Sequence, residues 1–536
     1  MTDKKQQPGL SKEQIESVIG LYSSHQFQEA IDQILLLDET YPNVPFLFNL
    51  IGACYKQLGQ LELSAKMFEK AVSIKPDYAE AHKNLGITLK DLGKLDSAVK
   101  SLKDAIAIDP NYVDAQFNLA ITFKDLNKLN DAIKSYKKAI NLNPNFAEAH
   151  NNLGNIFRDL EQFDDAVLCF KKVIELNPKF AQAYNNLGNV YKDLEQFDDA
   201  IKTYEKALEL NPNFAEAHNN LGGTLKDLEQ LDNALKSFKN AVRFNPNFAE
   251  AHNNIGGIFK DLGQLEEAVY SYEKALKINP DYTDALNNLG FALMSLGRFD
   301  EAVMSFEKAI AIQPDYAEAF NYLGSIFNIR GLTKEAAKFF EKAIAINPDL
   351  AEAHNSLGNL FRNLKQREKS LVCYERAIAL KPDMDFIYGS LLNNKMNLCI
   401  WDDFSKHLQT LRNKINNNEE VIGPFSLLGL IDDPALQRKA AEIFTNYHYP
   451  KNNELPKIEP YSMHKKIRIG YFSADFKIHP VAYLTAELYE LHDRNCFEVH
   501  AFSLSKDTND DLNLRIKGGV DHYHDVDLMS HKEIAL

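Results

Sequence analysis

Eleven prolines of this chain stand at a single interval: Pro42, Pro76, Pro110, Pro144, Pro178, Pro212, Pro246, Pro280, Pro314, Pro348 and Pro382. Successive members lie 34 residues apart. Chance does not produce ten equal intervals, so most of the chain must be one structural unit repeated, not a set of unrelated globular domains. Between prolines the apolar residues recur at helical spacing. In the stretch from Ala147 to Pro178, Leu153, Gly154 and Phe157 make one stripe and Ala166, Phe170 and Val173 a second. That is a pair of helices per repeat. The glycine lets a neighbouring helix approach closely, and the proline stops the second helix from running into the next unit. One such pair cannot bury its own apolar face, so the repeats must stack, winding a superhelix with a concave surface.

A 34-residue helix-pair period with Leu85-Gly86, Ala98 and Ala105 ahead of Pro110 resembles the tetratricopeptide repeat. The fold class expected is therefore mainly α, a superhelix of about eleven repeats over 11–382. The first unit, Ser11 to Pro42, departs from the pattern as a terminal cap does. Capping boxes are expected at the first helices: Asp77/Glu80, Asn145/Glu148, Asn213/Glu216, Asn247/Glu250 and Asp349/Glu352.

The repeat resemblance implies that first helices line the concave side. One register of those helices is asparagine seven times running: Asn84, Asn118, Asn152, Asn186, Asn220, Asn254 and Asn288. Asparagine is a mediocre helix former, so the repetition needs a reason. A carboxamide both donates and accepts, which matches the amide of an extended backbone, so peptide binding in the groove by side chains without intramolecular partners is expected. Bracing of the neighbouring repeat is the alternative. Asn155 and Asp159 share the face of Asn152. A cation precedes each recurrent aspartate, as in Lys90-Asp91, Arg158-Asp159 and Lys192-Asp193. These pairs read as a solvated face. His82, His150, His218, His252 and His354 sit beside the packing stripe and read as structural, since each repeat supplies no second ligand at i+3 or i+4.

After Pro382 the interval is lost. Residues 383–448 read as degenerate closing helices around Trp401, the chain's one tryptophan. Three prolines make 449–465 a connector. From Lys466 the period changes to two. Strands over Ile467–Phe472, Phe497–Leu504 and His522–Val526 alternate with helices over Val481–Leu491 and Asp510–Lys517, which opens a parallel, Rossmann-like sheet. Gly470, Gly518 and Gly519 do not form G-x-G-x-x-G, so no dinucleotide cofactor is expected.

Two segments carry a sharper resemblance: PFSLLGLIDDPALQRKAAE from Pro424, and IRIGYFSADFKIHPVAYL from Ile467 continuing through FEVHAFSLS. With the long array they resemble the protein O-GlcNAc transferase family, bacterial type. That resemblance implies transfer of a sugar from a nucleotide sugar, UDP-GlcNAc or another, to Ser or Thr of captured proteins, without a cofactor or metal, by two Rossmann-like lobes in a GT-B arrangement. It marks His479 as a cleft residue considered for acid–base work. Asp475 is read beside it as orienting the loop. Tyr483 stands where relatives often carry a second histidine. Residues 466–536 read as part of a first lobe. Ser530 and Glu533 suggest a capping box just before the chain ends at Leu536, and the donor-binding lobe has no counterpart, so inactivity of these 536 residues alone is the expectation. The alternative is a non-catalytic scaffold for peptides or partner proteins. The net charge of −15 argues against a nucleic-acid surface. No run of 18 apolar residues suggests a membrane span. Five scattered cysteines and an N-terminus without an apolar core make the cytoplasm the expected setting.

Overall fold

The computed structural model describes residues 10–448, 465–527 and 529. The N-terminal tail over 1–9, the connector over 449–464 and the suggested capping box at Ser530 lie outside the described residues. The chain divides into two compact units, Met1–Pro348 and Asp349–Leu536.

The first unit holds ten antiparallel helix pairs among its described residues. A representative repeat has helices Ala147–Asp159 and Phe163–Leu176, 13 and 14 residues long. Their stripes close on each other. Leu153 and Phe157 are buried against Ala166, Phe170 and Val173, the last three with no exposed surface. Gly154 is required there by space, not by backbone angle. A Cβ at that position would lie 2.9 Å from the Phe170 ring, and at Gly256 it would lie 2.6 Å from the Tyr272 ring. The second-helix aromatic thus occupies the volume that a side chain on the first helix would need.

The proline interval has a local cause. The second helix ends at Leu176, and Asn177 takes an extended backbone (φ −139°, ψ 86°), as a residue before proline must. Pro178 then sits second in a turn closed by the Phe180 N–H on the Asn177 carbonyl at 3.1 Å. Asn177 Oδ1 also accepts from the Lys179 N–H. The same side-chain turn recurs at Asn143, Asn211, Asn245 and Asn279.

This turn overrides the capping boxes. The N-caps are Tyr78, Phe146, Phe214, Phe248 and Leu350, with no side-chain cap bond. The turn uses the residue after proline, so the helix starts one position later than a cap at Asn145 would set it. The glutamates expected to complete the boxes remain in the first turn, where they favour the helix dipole.

The turn between the two helices of a repeat needs a left-handed residue. Gly59, Gly93, Gly263, Gly297 and Gly331 supply it at φ 74–75°, whereas Asn127, Glu161, Glu195 and Glu229 hold φ 56–58°. A residue with a Cβ costs about 1 kcal/mol or more there. Replacing Glu161, Glu195 and Glu229 together by Gly is expected to stabilise the array by about 1–3 kcal/mol, read as a higher urea midpoint.

The second unit begins with one more pair, Ala351–Asn363 and Arg367–Leu380, with Gly358 under Tyr374. Helices Ile387–Asn397, Phe404–Asn416, Pro424–Leu428 and Pro434–His448 then close around Leu392, Leu411, Ile415, Ile422 and Leu427. Beyond the connector lie β1 (Ile467–Ser473), β2 (Phe497–Ser503) and β3 (His522–Asp525), parallel and in that order. Helices Pro480–Leu491 and Asp511–Gly518 supply the crossovers. Phe476, Ala482, Ala486, Tyr489, Ala501 and Ile516 form the core between the helices and one face of the sheet.

Candidate functional site

The asparagine register is not free. Asn84 Nδ2 donates to Asn49 Oδ1 at 3.0 Å, Asn186 to Asn151 at 3.1 Å, Asn220 to Asn185 at 3.0 Å, Asn254 to Asn219 at 3.0 Å and Asn288 to Asn253 at 3.1 Å. Each bond joins consecutive repeats across 35 positions, one more than the period. The acceptor is the asparagine immediately before the repeated one, and the sequence reading overlooked it. The Asn-Asn dipeptide in successive repeats is the signal that could have found it. Asn118 and Asn152 make no such bond, because Lys83 and Phe117 occupy their acceptor positions. Asn118 donates to the Asp114 carbonyl instead, and Asn152 Oδ1 accepts weakly from Asn151 at 3.5 Å. The chain of bonds continues, since Asn185 and Asn219 donate to Glu216 and Glu250 of the next repeat at 3.4 and 2.9 Å. Expecting side chains without intramolecular partners was wrong. A half-buried carboxamide costs free energy unless bonded, and the adjacent repeat offers the nearest partner.

The cation–aspartate pairs follow the same offset. Lys56 meets Asp91 at 3.0 Å, Arg158 meets Asp193 at 2.6 Å, Lys192 meets Asp227 at 3.1 Å and Lys226 meets Asp261 at 3.2 Å. These four bridge repeats, and Asp91 and Asp261 also meet the lysine just before them, Lys90 at 3.5 Å and Lys260 at 3.7 Å. Each is about one-third exposed, so each contributes little alone. Gly223 makes room for Lys192, whose Nζ would lie 3.1 Å from a Cβ there.

Side chains from four consecutive first helices enclose one hollow of about 600 Å³. Its lining includes Arg158, Asn189, Lys192, Asn219, Asn220 and Phe248. Two polar capacities remain in it. Asn189 Oδ1 accepts from Tyr204 at 2.8 Å, which leaves its N–H groups. Asn220 spends one N–H on Asn185 and keeps Oδ1 and the other N–H. The recurrent histidines are structural. Nε2 of His82, His150, His218 and His252 lies 3.0–3.2 Å from the carbonyl of the preceding repeat proline. A carbonyl only accepts, so Nε2 carries the proton. Burial lowers the pKa of His218 and His252.

In the lobe, His479 opens the helix after β1. Its Nδ1 accepts from the Val481 N–H at 3.3 Å and lies 3.5 Å from Asp475 Oδ2. One nitrogen cannot serve both. With a lone pair on Nδ1 the ring caps the helix, and with a hydrogen on Nδ1 it donates to Asp475. The loop carrying both residues is fixed from below. Asp475 N–H donates to Ser473 Oγ at 3.0 Å, Ser505 Oγ to the Ala474 carbonyl at 2.6 Å, and Asn513 Nδ2 to the Phe476 carbonyl at 2.5 Å. Asp510 Oδ2 accepts from the Ile478 N–H at 3.0 Å. Hydrogen bonds from Thr508 first, and then from the Asn513 N–H, hold the Asp510 carboxyl below its usual range. This clamp is fully formed above about pH 4 and is lost only as pH falls through the lowered value. Near these loops, Arg515 is engaged with Glu490 through two 2.8 Å bonds. Tyr483 is 62% exposed. The loop lies at the carboxyl ends of the strands, where open parallel sheets bind ligands.

Models of the tetratricopeptide repeat match residues 52–195, 224–297, 281–349, 203–236, and 181–214 with 351–384. The glycosyl transferase family 41 model matches 441–535. The chain is a tetratricopeptide-repeat protein carrying a glycosyltransferase segment. The chain belongs to the tetratricopeptide-repeat proteins, and the pairing of that array with a family 41 segment resembles the protein O-GlcNAc transferase family. A probable UDP-N-acetylglucosamine–peptide N-acetylglucosaminyltransferase, SEC, of Arabidopsis thaliana is 30% identical over 161 residues, 27% of this chain and 16% of that one. The UDP-N-acetylglucosamine–peptide N-acetylglucosaminyltransferase of Caenorhabditis elegans is 30% identical over 148 residues, 24% and 12% of the two chains. The chain therefore spans less than a fifth of either relative. YrrB, a solved TPR protein with an unusual peptide-binding site, is 30% identical, with 35% of this chain and 96% of that one covered and a TM-score of 0.29. Among the described residues no helix is long and apolar enough to cross a membrane.

Proposed function

We propose that the repeat groove captures extended protein segments and that the family 41 region glycosylates their Ser or Thr hydroxyls from a nucleotide sugar, UDP-GlcNAc in the first instance. The observation that carries this is the hollow shared by four first helices on a chain that also bears the family 41 segment. The asparagines take two parts in it. The bonds between repeats hold Asn84, Asn186, Asn220, Asn254 and Asn288 in fixed rotamers, and the N–H each of them leaves over, with the oxygen of all but Asn186, which already accepts from Gln182 at 3.0 Å, meets a peptide amide. Asn118 and Asn152, outside the bonded series, contribute their carboxamides directly. Preorganised groups of this kind lose little entropy on binding. His479 is the site residue of the lobe, with Asp475 positioning its ring. In this reading the nucleotide diphosphate is bound by groups other than Arg515, which is already paired with Glu490. A cytoplasmic setting suits such a role.

Capture is tested by photo-crosslinking. A benzophenone side chain placed at Asn155 should label a Ser/Thr-containing extended peptide, and one at Leu168, 67% exposed on a second helix, should not. Equal labelling from both positions, or labelling from 168 alone, would refute the groove.

A further inference from the structure

Among the described residues, the sheet of the lobe has one covered and one open face. Val499, Ala501 and Ser503 of β2 are buried, whereas Glu498, His500 and Phe502 alternate onto the other face and stay partly exposed. The parallel register sets His522 beside His500 and His524 beside Phe502. A period of two therefore gathers Glu498, His500, His522 and His524 on one surface. The His522 Nε2 atom lies 3.1 Å from Glu498 Oε1, and His500 Nε2 lies 3.6 Å from the same oxygen. The three ligand-type atoms all fall within 4.8 Å of one another.

A second layer fixes these groups. Arg468 Nε donates to Glu498 Oε2 at 2.9 Å, which leaves Oε1 turned to the imidazoles. His500 Nδ1 lies 3.1 Å from His524 Nε2, with the two rings 3° from parallel. His500 Nε2 itself is buried and makes no hydrogen bond among the described residues. Buried polar atoms without a partner are rare and call for an explanation.

We propose that Glu498, His500 and His522 bind a divalent transition-metal cation of the zinc type, with Arg468 and His524 as positioning residues. Bonds of about 2.0–2.2 Å to a tetrahedral cation put ligand atoms roughly 3.3 Å apart, close to the two short separations here. Two imidazoles and one carboxylate are a borderline nitrogen–oxygen set, which suits zinc, cobalt, nickel or copper better than calcium or magnesium. With the His500 proton on Nδ1 and shared with His524, the Nε2 lone pair faces the Glu498 oxygen. That juxtaposition is repulsive with nothing between them and is resolved by a cation, and the outer partner is the one that metal-bound histidines ordinarily have. The fourth position opens to solvent on the uncovered face.

The test is titration of the metal-free 536-residue chain with Co²⁺, followed by its visible absorption, and with Zn²⁺ by calorimetry. One ion per chain is expected, with the visible bands of a four- or five-coordinate centre. His522→Ala, on a short edge strand and half-exposed, should keep the far-ultraviolet circular dichroism and weaken binding at least tenfold. Arg468→Ala should weaken it by about tenfold through loss of the outer contact. His25→Ala, in the first repeat, should change nothing. Absence of a saturable site in the unaltered chain, or equal affinity in the His522→Ala and Glu498→Gln variants, would overturn the proposal.

Discussion

Replacing Asn185, Asn219 and Asn253 together by Ala is expected to lower the stability of the array by about 3–6 kcal/mol. Each substitution removes the Oδ1 that accepts from Asn220, Asn254 or Asn288 in the next repeat. Leaving a part-buried amide donor unpaired costs about 1–2 kcal/mol. The three acceptors are 0%, 4% and 9% exposed, so water does not easily replace them. In a stacked array the loss falls on the interface terms, and these sum along the chain. The check is the urea midpoint of the helical circular dichroism. Asn155→Ala is the control. It lies on the same helical face outside the inter-repeat series, and a change within about 0.5 kcal/mol is expected.

The other large effect lies in the contact between glycine and aromatic. Phe306 has no exposed surface, and its ring atoms lie 2.7 Å from where a Cβ on Gly290 would stand. Phe306→Ala should cost about 3–5 kcal/mol through lost burial and the cavity left behind. Gly290→Leu should also destabilise, because the side chain has no volume to enter while the ring is in place; overpacking of this kind costs roughly 1–3 kcal/mol. Combined, the two changes should be less damaging than their sum, as the leucine fills the space the ring vacated. A double-mutant cycle on the unfolding free energies measures that coupling. Strict additivity would show that the two positions do not share one volume.

These two predictions also mark what a linear reading of the chain could find. The glycine, the aromatic stripe and the proline all recur within one period, and each has a local steric cause, so period and chemistry together gave helix pairs of the right length. The strands were equally legible, because Ile467, Ile469 and Tyr471 alternate with Arg468 and Gly470. The partner of the asparagine register was not. Its bond spans 35 positions, and within a repeat nothing separates a braced carboxamide from a free one. The capping boxes failed for a different reason. Asn-x-x-Glu is a valid start signal, but Asn143 and Pro144 had already committed the chain to a turn that moves the helix start to Ala147. The imidazole cluster needed two strands in register before its residues became neighbours. Glu498-x-His500 and His522-x-His524 carry the alternation, yet only pairing of β2 with β3 joins them. At His479 the sequence pointed to the loop, and the structure adds the competition for Nδ1 between the Val481 N–H and the Asp475 carboxylate.

The most direct test of the proposed activity is incorporation of labelled GlcNAc from UDP-GlcNAc into groove-bound polypeptide by a chain that joins these residues to a complete family 41 region. Label should appear on Ser or Thr of the bound segment, and His479→Ala should lower its rate by about a hundredfold, the usual loss when a group in proton-transfer contact is removed. Capture of polypeptide with no label on it, or labelling undiminished in His479→Ala, would contradict the assignment; the first of these would leave a repeat scaffold that binds partners without modifying them.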